Sequence, residues 1–505
     1  MNLSRLLSYE IVDDKGITQS RKVKKLFRCD DICKFCTKKG HSLPFCPSVP
    51  TVPGENERNS FVDTLLSTPR LKLKMYEGLS RLEVLQKVDT LGISLNKGNP
   101  YLDDNQPFSS LRKSLGYWKA IGADKSVLSW LAYGYQMKFA RHPQRLLFKN
   151  SPTTYEYEEF IDQEVETHVR DGSFAEISEN EAWVVNPFII STNSSGKPRR
   201  CDDMRYVNAH LASSFFKMQT LDRDLPNIIR VGDHMITRDL EKAYYKIPIS
   251  EDSCKFQCFY WKNKYYKAKV LLFGFCQAPF VFTKIVRVVV RFFGSLLIRV
   301  MNFVDDFLFT DQKEKIEELA LFVDVILKLI GWVLSMKDNQ LGTKVKFLGF
   351  LIDSVQRRFQ ITPSTCQKTI KIIELVIEKK QRQQKIVVSD LQSLTGKLMS
   401  LKLAIPSMSV WLREVYFCFS EEKCGVDAET TVVELSSSAK ASLNRIKQLI
   451  VNDPSTPFVS QFLRGTCMLI VENVDGLGLM CGELFSPQRL DNRPLLGNSK
   501  GSFSC

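Results

Sequence analysis

The spacing of hydrophobic and polar positions changes character along the chain. Residues 1–60 are basic, polar and turn-rich, with Arg21, Lys22, Lys24, Lys25 and Arg28 ahead of a cysteine cluster and Pro44, Pro47, Pro50 and Pro53 after it. That composition predicts an arm around one very small module. Residues 61–150 have a mostly helical period, including an aromatic-rich segment from Leu115 to Tyr135 that holds Trp118 and Trp130. Short apolar runs then take over. Trp183-Val184-Val185, Phe188-Ile189-Ile190 and Lys269-Val270-Leu271-Leu272 predict strands between helical stretches. After Phe350 the helical period returns. Pro363 opens an amphipathic stretch through Ile370, Ile373, Leu375 and Ile377, and Ser389-Asp390-Leu391-Gln392 reads as a capping box for another helix. No internal repeat is present.

Composition narrows the class. With 505 residues, 44% hydrophobic and 25% charged, the chain is globular, and collagen-like, low-complexity and wholly disordered architectures are excluded. The net charge of +14 favours polyanionic partners. The 14 cysteines form no regular framework, which in so long a chain suggests a reducing, intracellular location, cytoplasmic or nuclear. Met1-Asn2-Leu3-Ser4-Arg5 leads to Glu10, Asp13 and Asp14 without an apolar core, against a secretory signal. The most hydrophobic stretch, from Val286 to Phe309, is broken by Arg287, Arg291, Arg299, Asp305 and Asp306 and is not expected to span a membrane.

Two clusters carry candidate chemistry. Cys33, Cys36, His41 and Cys46 follow a C-x2-C-x4-H-x4-C spacing, whose three thiolates and one imidazole can close a tetrahedron around zinc. Gly40 permits a tight turn before His41, and Phe35 and Phe45 beside the ligands could stack on unpaired bases. Cys29 is a rival ligand that breaks the spacing, and free cysteines in a disordered arm are the plain alternative. The second cluster is Asp305-Asp306, flanked on both sides by apolar strand formers. Buried carboxylates are costly without a partner, and a divalent cation is the usual one. A third carboxylate is available at Asp239, which ends an apolar run and is followed by Tyr244. Three carboxylates on neighbouring strands can hold two magnesium or manganese ions about 4 Å apart, activating a primer hydroxyl and stabilising the leaving pyrophosphate.

In order and spacing, these residues resemble reverse transcriptases. The resemblance rests on Asp239 with Tyr244, the loop Leu272-Phe273-Gly274-Phe275-Cys276-Gln277-Ala278-Pro279, the box Phe303-Val304-Asp305-Asp306, Phe347-Leu348-Gly349-Phe350, and the stretch from Gly196-Lys197-Pro198-Arg199 through Asp203, Arg205 and Asn208. It extends from about Leu115 to Tyr416. The Trp-rich lead-in and Leu394-Thr395-Gly396-Lys397-Leu398 look most like DIRS-type retrotransposons, with retrovirus-like elements next, and the cysteine spacing is similar to the zinc knuckle of retroviral and retrotransposon nucleocapsid proteins.

The resemblance implies that Asp239, Asp305 and Asp306 are the metal-binding triad and that Arg199 reaches the incoming triphosphate, with Arg200 as its rival. It implies that Tyr244 excludes a 2′-hydroxyl, although Tyr244 and Tyr245 could equally be core residues. Phe273 and Gly274 would contact nucleotide and template, the hairpin at Phe347 to Phe350 would grip the primer end, and Lys337 would be a proton donor to pyrophosphate or a residue of a solvated turn. Two departures from the family pattern stand out: Cys201-Asp202 replaces apolar strand residues, and Ser191, Thr192 and Asn193 stand where many retroviral enzymes carry a lysine upstream of the fingers turn.

The implied fold is α+β, a right-hand polymerase of fingers, palm and thumb whose antiparallel palm sheet is backed by helices, with a small N-terminal zinc knuckle. The expected division is a basic arm with the knuckle (1–60), a helical extension (61–150), fingers and palm (151–360), thumb and connection helices (361–455), and a partial ribonuclease H-like segment (456–505). In that last segment Cys467-Met468-Leu469-Ile470-Val471 precedes Glu472 and Asp475, and the chain reaches Cys505 before the separate elements that carry that fold's other metal-binding carboxylates could appear, so an inactive domain is expected, with an unrelated hydrophobic strand as the alternative. The implied activity is RNA-directed DNA synthesis for a retrotransposon, on an RNA template with a DNA primer and deoxynucleoside triphosphates, and with other proteins of the element as further partners. RNA-templated RNA synthesis is disfavoured by Tyr244, and a non-catalytic nucleic-acid-binding remnant is the alternative. For the knuckle, a peptide of residues 20–55 is expected to bind one zinc ion, with affinity falling in acid as the thiolates protonate. Uptake below half an equivalent in a zinc titration removes the module.

Overall fold

The computed structural model describes residues 8–12, 18–22, 55–102, 109–192, 198–335, 339–419, 430–452, 455–458, 469–473 and 476–480. Cys33, Cys36, His41 and Cys46, and also Lys337, lie outside these residues. The chain divides into two compact units, one of Met1–Ser67 with Gly98–Pro100 and the other of Thr68–Lys97 with Tyr101–Cys505. In the first, strand Ser8–Val12 pairs antiparallel with Thr18–Lys22, and Glu55–Ser67 is helical.

The second unit is organised around a four-stranded antiparallel sheet of Arg299–Phe303, Asp306–Asp311, His234–Asp239 and Leu341–Gly342, in that spatial order. Side chains alternate between its faces. Phe307 and Phe309 stack on one another on one face, where Phe309 meets Phe293 edge-on at 5.2 Å. Phe293 belongs to the helix Ala278–Ser295, which packs there with the helix Ile316–Leu329. Met235, Met301 and Leu308 join a different core, shared with Val345, Phe347, Ile352 and the C-terminal helices. Cover on both faces is why these strands read as continuous apolar runs rather than as alternating ones.

The lead-in helices pack on this body. Trp118, on Leu115–Ala120, is fully buried, meets Trp332 edge-on at 6.3 Å and donates its indole N–H to Ile330 O at 2.8 Å. A second, mixed sheet runs in the order Leu146–Leu147, Val184–Val185, Cys258–Trp261, Lys264–Ala268 and Phe174–Ile177. Its first two junctions are parallel and the other two antiparallel. Beside it, Phe188–Thr192 and Pro198–Asp202 form a hairpin. A third sheet comprises Lys344–Phe347, Phe350–Asp353, Arg358–Ile361 and Ser455–Pro457. Helices Pro363–Gln381, Val388–Met399 and Ser437–Asn452 complete the unit, and the strands Leu469–Asn473 and Gly476–Met480 pair near its end.

Several sequence expectations shift. The strand expected at Lys269 to Leu272 lies instead at Lys264–Ala268. Residues 269–272 pair with Ile247 to Ile249 only at one antiparallel bridge, Val270 with Pro248, where Ile249 donates to Lys269 O at 2.8 Å and Leu271 to Ile247 O at 3.0 Å. The ladder goes no further because Lys269 N–H is taken by Ser173 O at 2.8 Å and Ile247 N–H by Tyr244 O at 3.1 Å. Ser389 does not cap a helix. The helix begins at Val388, and the carboxylate of Asp390 accepts the Val387 N–H at 3.1 Å, because strand Ile386–Val387 runs straight into the first turn. Leu375 lies on the exposed side of its helix, whereas Ile373 and Ile377 are buried.

Candidate active site

The two segments singled out by their carboxylates are adjacent strands. Asp306 stands directly opposite Asp239, and the register continues through Leu308 opposite Thr237 and Thr310 opposite Met235. Asp239 and Asp306 therefore project from one face, the face that carries Met235 and Leu308. Beyond Asp239 the chain stays tied in: its carbonyl accepts Ser335 N–H at 2.9 Å, and Glu241 N–H reaches Val333 O at 2.9 Å.

Asp305 lies in the turn of the hairpin. Phe303 pairs with Asp306, leaving only Val304 and Asp305 to reverse the chain. Val304 sits at φ +54°, in the left-handed region where a β-branched side chain is strained by about 1–3 kcal/mol. Three hydrogen bonds offset this. Asn302 Nδ2 donates to Val304 O at 2.7 Å and to Asp306 O at 3.2 Å, and Leu240 N–H donates to Asp305 O at 3.3 Å. Burial pushes the Asp305 carboxyl above the usual carboxylate range.

Aromatic rings wall the site. Tyr244 is only 9% exposed and packs between Phe273, edge-on at 5.1 Å, and Phe282 at 5.1 Å. Burial and the charge of Asp305 raise its phenol to about 12. Tyr245 turns away and stacks on His168 at 4.6 Å. Phe273 is 50% exposed. Gly274 has φ +100°, and a Cβ there would lie 2.0 Å from Asp202 O, so glycine is required on both counts. Asn208 braces the loop, donating to Gly274 O at 2.8 Å and accepting from Cys276 N–H at 3.0 Å.

The two candidate arginines separate cleanly. Arg200 is buried, binds Asp202 at 2.6 Å and lies 3.8 Å from the Phe259 ring centroid and 4.4 Å from that of Phe188. Arg199 is exposed. The departure at Cys201-Asp202 thus supplies the buried counter-charge of Arg200. Phe347 and Phe350 pair across a two-residue turn, with Leu348 and Gly349 at φ +47° and +83° as that turn type demands. A cavity of about 540 Å³ opens between Phe303, Leu348, Phe359, Met399, Leu403 and Pro406.

Three residues of the site had no assigned role in the sequence: Asn302, Gln219 and Asn208. An asparagine inside an apolar strand is the one visible signal for Asn302, since a buried amide needs partners. Just beyond Asp239, Lys242 lies at φ +48° and Ala243 returns to the right-handed helical region. The donor set of Asp239, Asp305 and Asp306 suits magnesium or manganese, which take hard, anionic oxygen ligands. Among the described residues, however, no three such side chains converge on one point.

Residues 196–352 match the family model described as reverse transcriptase (RNA-dependent DNA polymerase). Asp239, Asp305 and Asp306, the candidate nucleotide contacts and the hairpin at Phe347 to Phe350 all fall within that stretch. The chain is 26% identical over 261 residues to an enzymatic polyprotein of Cassava vein mosaic virus, covering 48% of this chain and 36% of the relative. It is 29% identical over 224 residues to the Pro-Pol polyprotein of Simian foamy virus type 1, covering 44% and 18%. It thus spans well under half of either polyprotein. Among solved structures, a foamy viral protease-reverse transcriptase in complex with double-stranded DNA matches with a TM-score of 0.48 and 17% identity, over 81% of this chain and 63% of that one.

The raised pKa of Asp305 has a consequence for stability. An acid whose folded-state pKa exceeds its unfolded value costs stability above the folded pKa, and the cost fades as pH falls toward the unfolded value of about 3.9. Asp305→Asn is expected to melt higher than the unaltered chain at neutral pH in the absence of divalent cations, with the gap closing in acid. Melting curves at several pH values check this, and an equal or lower neutral melting temperature contradicts it.

Proposed function

We propose that this chain is an RNA-directed DNA polymerase of a retrotransposon. It would extend a DNA primer on an RNA template with deoxynucleoside triphosphates. The observation that carries the reading is the pairing of Asp239 with Asp306, with Asp305 in the intervening turn, inside the stretch matched by the reverse transcriptase model. In this reading the four-stranded sheet is the palm, the mixed sheet and the hairpin at 188–202 the fingers, and the helices after 363 the thumb.

Asp239, Asp305 and Asp306 would hold magnesium or manganese. Such ions supply charge neutralisation at a transferring phosphoryl group and acidify a primer hydroxyl. The protein's own contributions are positional. Arg199, exposed on the hairpin at 188–202, would meet triphosphate oxygens. Phe273 and the Gly274 backbone would face the nucleotide. The ring of Tyr244, fixed by Phe273 and Phe282, would fill the space a 2′-hydroxyl needs. Leu348 and Phe303, at the edge of the 540 Å³ cavity, would seat the primer end. The knuckle at Cys33, Cys36, His41 and Cys46 would add zinc-dependent, salt-sensitive binding of single strands. Among the described residues no helix is long and apolar enough to cross a membrane.

Primer extension on a homopolymeric RNA template tests the activity. Asp239→Asn and Asp305→Asn are each expected to lower extension by at least about 100-fold while leaving template binding intact, as loss of a major electrostatic stabiliser does. Template binding with no extension by the unaltered chain would leave a nucleic-acid-binding remnant. Sugar selection is tested separately. Tyr244→Ala is expected to raise incorporation of ribonucleotides relative to deoxynucleotides, and an unchanged ratio in an active variant assigns Tyr244 to the core.

A further inference from the structure

Asn302 lies in the strand Arg299–Phe303, where its neighbours are apolar. Its single Nδ2 group donates to the carbonyls of Val304 at 2.7 Å and Asp306 at 3.2 Å. Those are the carbonyls immediately before and after Asp305. The Asp305 carbonyl itself accepts from Leu240 N–H at 3.3 Å, across the sheet. Three successive carbonyls are thereby engaged, two by one side chain, and both peptide planes around Asp305 are held. This occurs where the backbone most needs restraint, because Val304 occupies the left-handed region at φ +54°. Without those donors, the turn can relax toward a conformation that valine prefers and carry Asp305 with it.

A second residue supports the first. Gln219 Oε1 accepts the backbone N–H of Asn302 at 2.7 Å. Gln219 is itself on a pinned segment, since Lys217 O accepts Arg287 Nη2, from the helix Ala278–Ser295, at 2.7 Å. The asparagine amide is chemically specific here. An aspartate would set a carboxylate against two carbonyl oxygens, and a leucine of similar size would remove both bonds while keeping the packing volume.

We propose that Asn302, supported by Gln219, is a positioning residue that clamps the backbone on both sides of Asp305 and so presents that carboxylate to a divalent cation. This rests on the reading of Asp239, Asp305 and Asp306 as a metal-holding set. Asn302 touches neither metal nor substrate in this role. It acts through Asp305, and its loss is expected to weaken cation binding more than folding.

The test uses the full chain bound to a primer–template, with manganese binding read from the electron paramagnetic resonance signal of the free ion. Asn302→Leu is expected to weaken manganese binding about tenfold, the low end for loss of a group that orients a metal ligand. The magnesium concentration for half-maximal extension should rise in proportion, while the primer–template Kd holds and the melting temperature falls by only a few degrees. Gln219→Leu should shift both metal readouts in the same direction by a smaller factor. Unchanged manganese affinity in Asn302→Leu overturns the proposal, as does a loss matched by an equal loss of primer–template binding. If Asn302→Leu does not fold, Gln219→Leu decides alone, and unchanged affinity there overturns the proposal. Failure of the underlying reading looks different: the unaltered chain would then take up no manganese that Asp305→Asn abolishes.

Discussion

The antiparallel register between strands His234–Asp239 and Asp306–Asp311 is the constraint on which the rest of the site depends. It makes Asp239 and Asp306 cross-strand neighbours on one face. Because side chains alternate along a strand, a slip of one residue would send Asp306 to the face of Phe307 and Phe309 and bury it against the helices. The apolar identity of both faces opposes that slip, since Phe309 belongs against Phe293 and Leu308 belongs in the core shared with Val345 and Phe347. The register in turn leaves only Val304 and Asp305 to close the hairpin. Strain at Val304 and the bonds from Asn302 and Leu240 that contain it follow from that closure.

Around this hairpin, close approaches of backbone to backbone set the geometry. Gly274 lets its loop lie against the carbonyl of Asp202, bringing Phe273 onto Tyr244. Asp202 is held by Arg200, whose guanidinium is buried among the rings of Phe188 and Phe259. A cation and a carboxylate removed from water together keep their charges only as a hydrogen-bonded pair, and the aromatic faces supply further stabilisation. The result connects the hairpin at 188–202 to the loop of Phe273 and Gly274 through one ion pair and one glycine. Arg200 therefore serves the scaffold, and its exposed neighbour Arg199 is the one available to a ligand.

Much of the site was legible in the sequence because charge inside an apolar run is rare and costly. Asp305-Asp306 and Asp239 stand out for that reason, and Gly274 for its place in a glycine-proline loop. Other assignments depended on direction, which linear spacing does not encode. Tyr244 and Tyr245 are adjacent and chemically equal, yet one packs between Phe273 and Phe282 within the field of Asp305 and the other stacks on His168. Ser389 has the composition of a cap, but the preceding strand leaves the Val387 N–H to Asp390. Lys269 to Leu272 has the apolarity of a strand, but its pairing with Ile247 to Ile249 stops at one bridge because Ser173 O takes the Lys269 N–H and Tyr244 O the Ile247 N–H.

The sequence by itself determined the chemistry available: three carboxylates in apolar surroundings, the loops that flank them, an α+β succession of elements, and the thiols and imidazole of the N-terminal cluster. Those properties depend on residue type and local period, which are written along the chain. Tertiary structure decided which carboxylates face one another, which arginine is spent on the core, which tyrosine lines the site, and that Asn302 and Gln219 brace the turn. Each of these depends on contacts between segments far apart in sequence, such as Gln219 with Asn302 and Asp202 with Gly274, whose geometry exists only once the strands are paired and both faces of the sheet are covered.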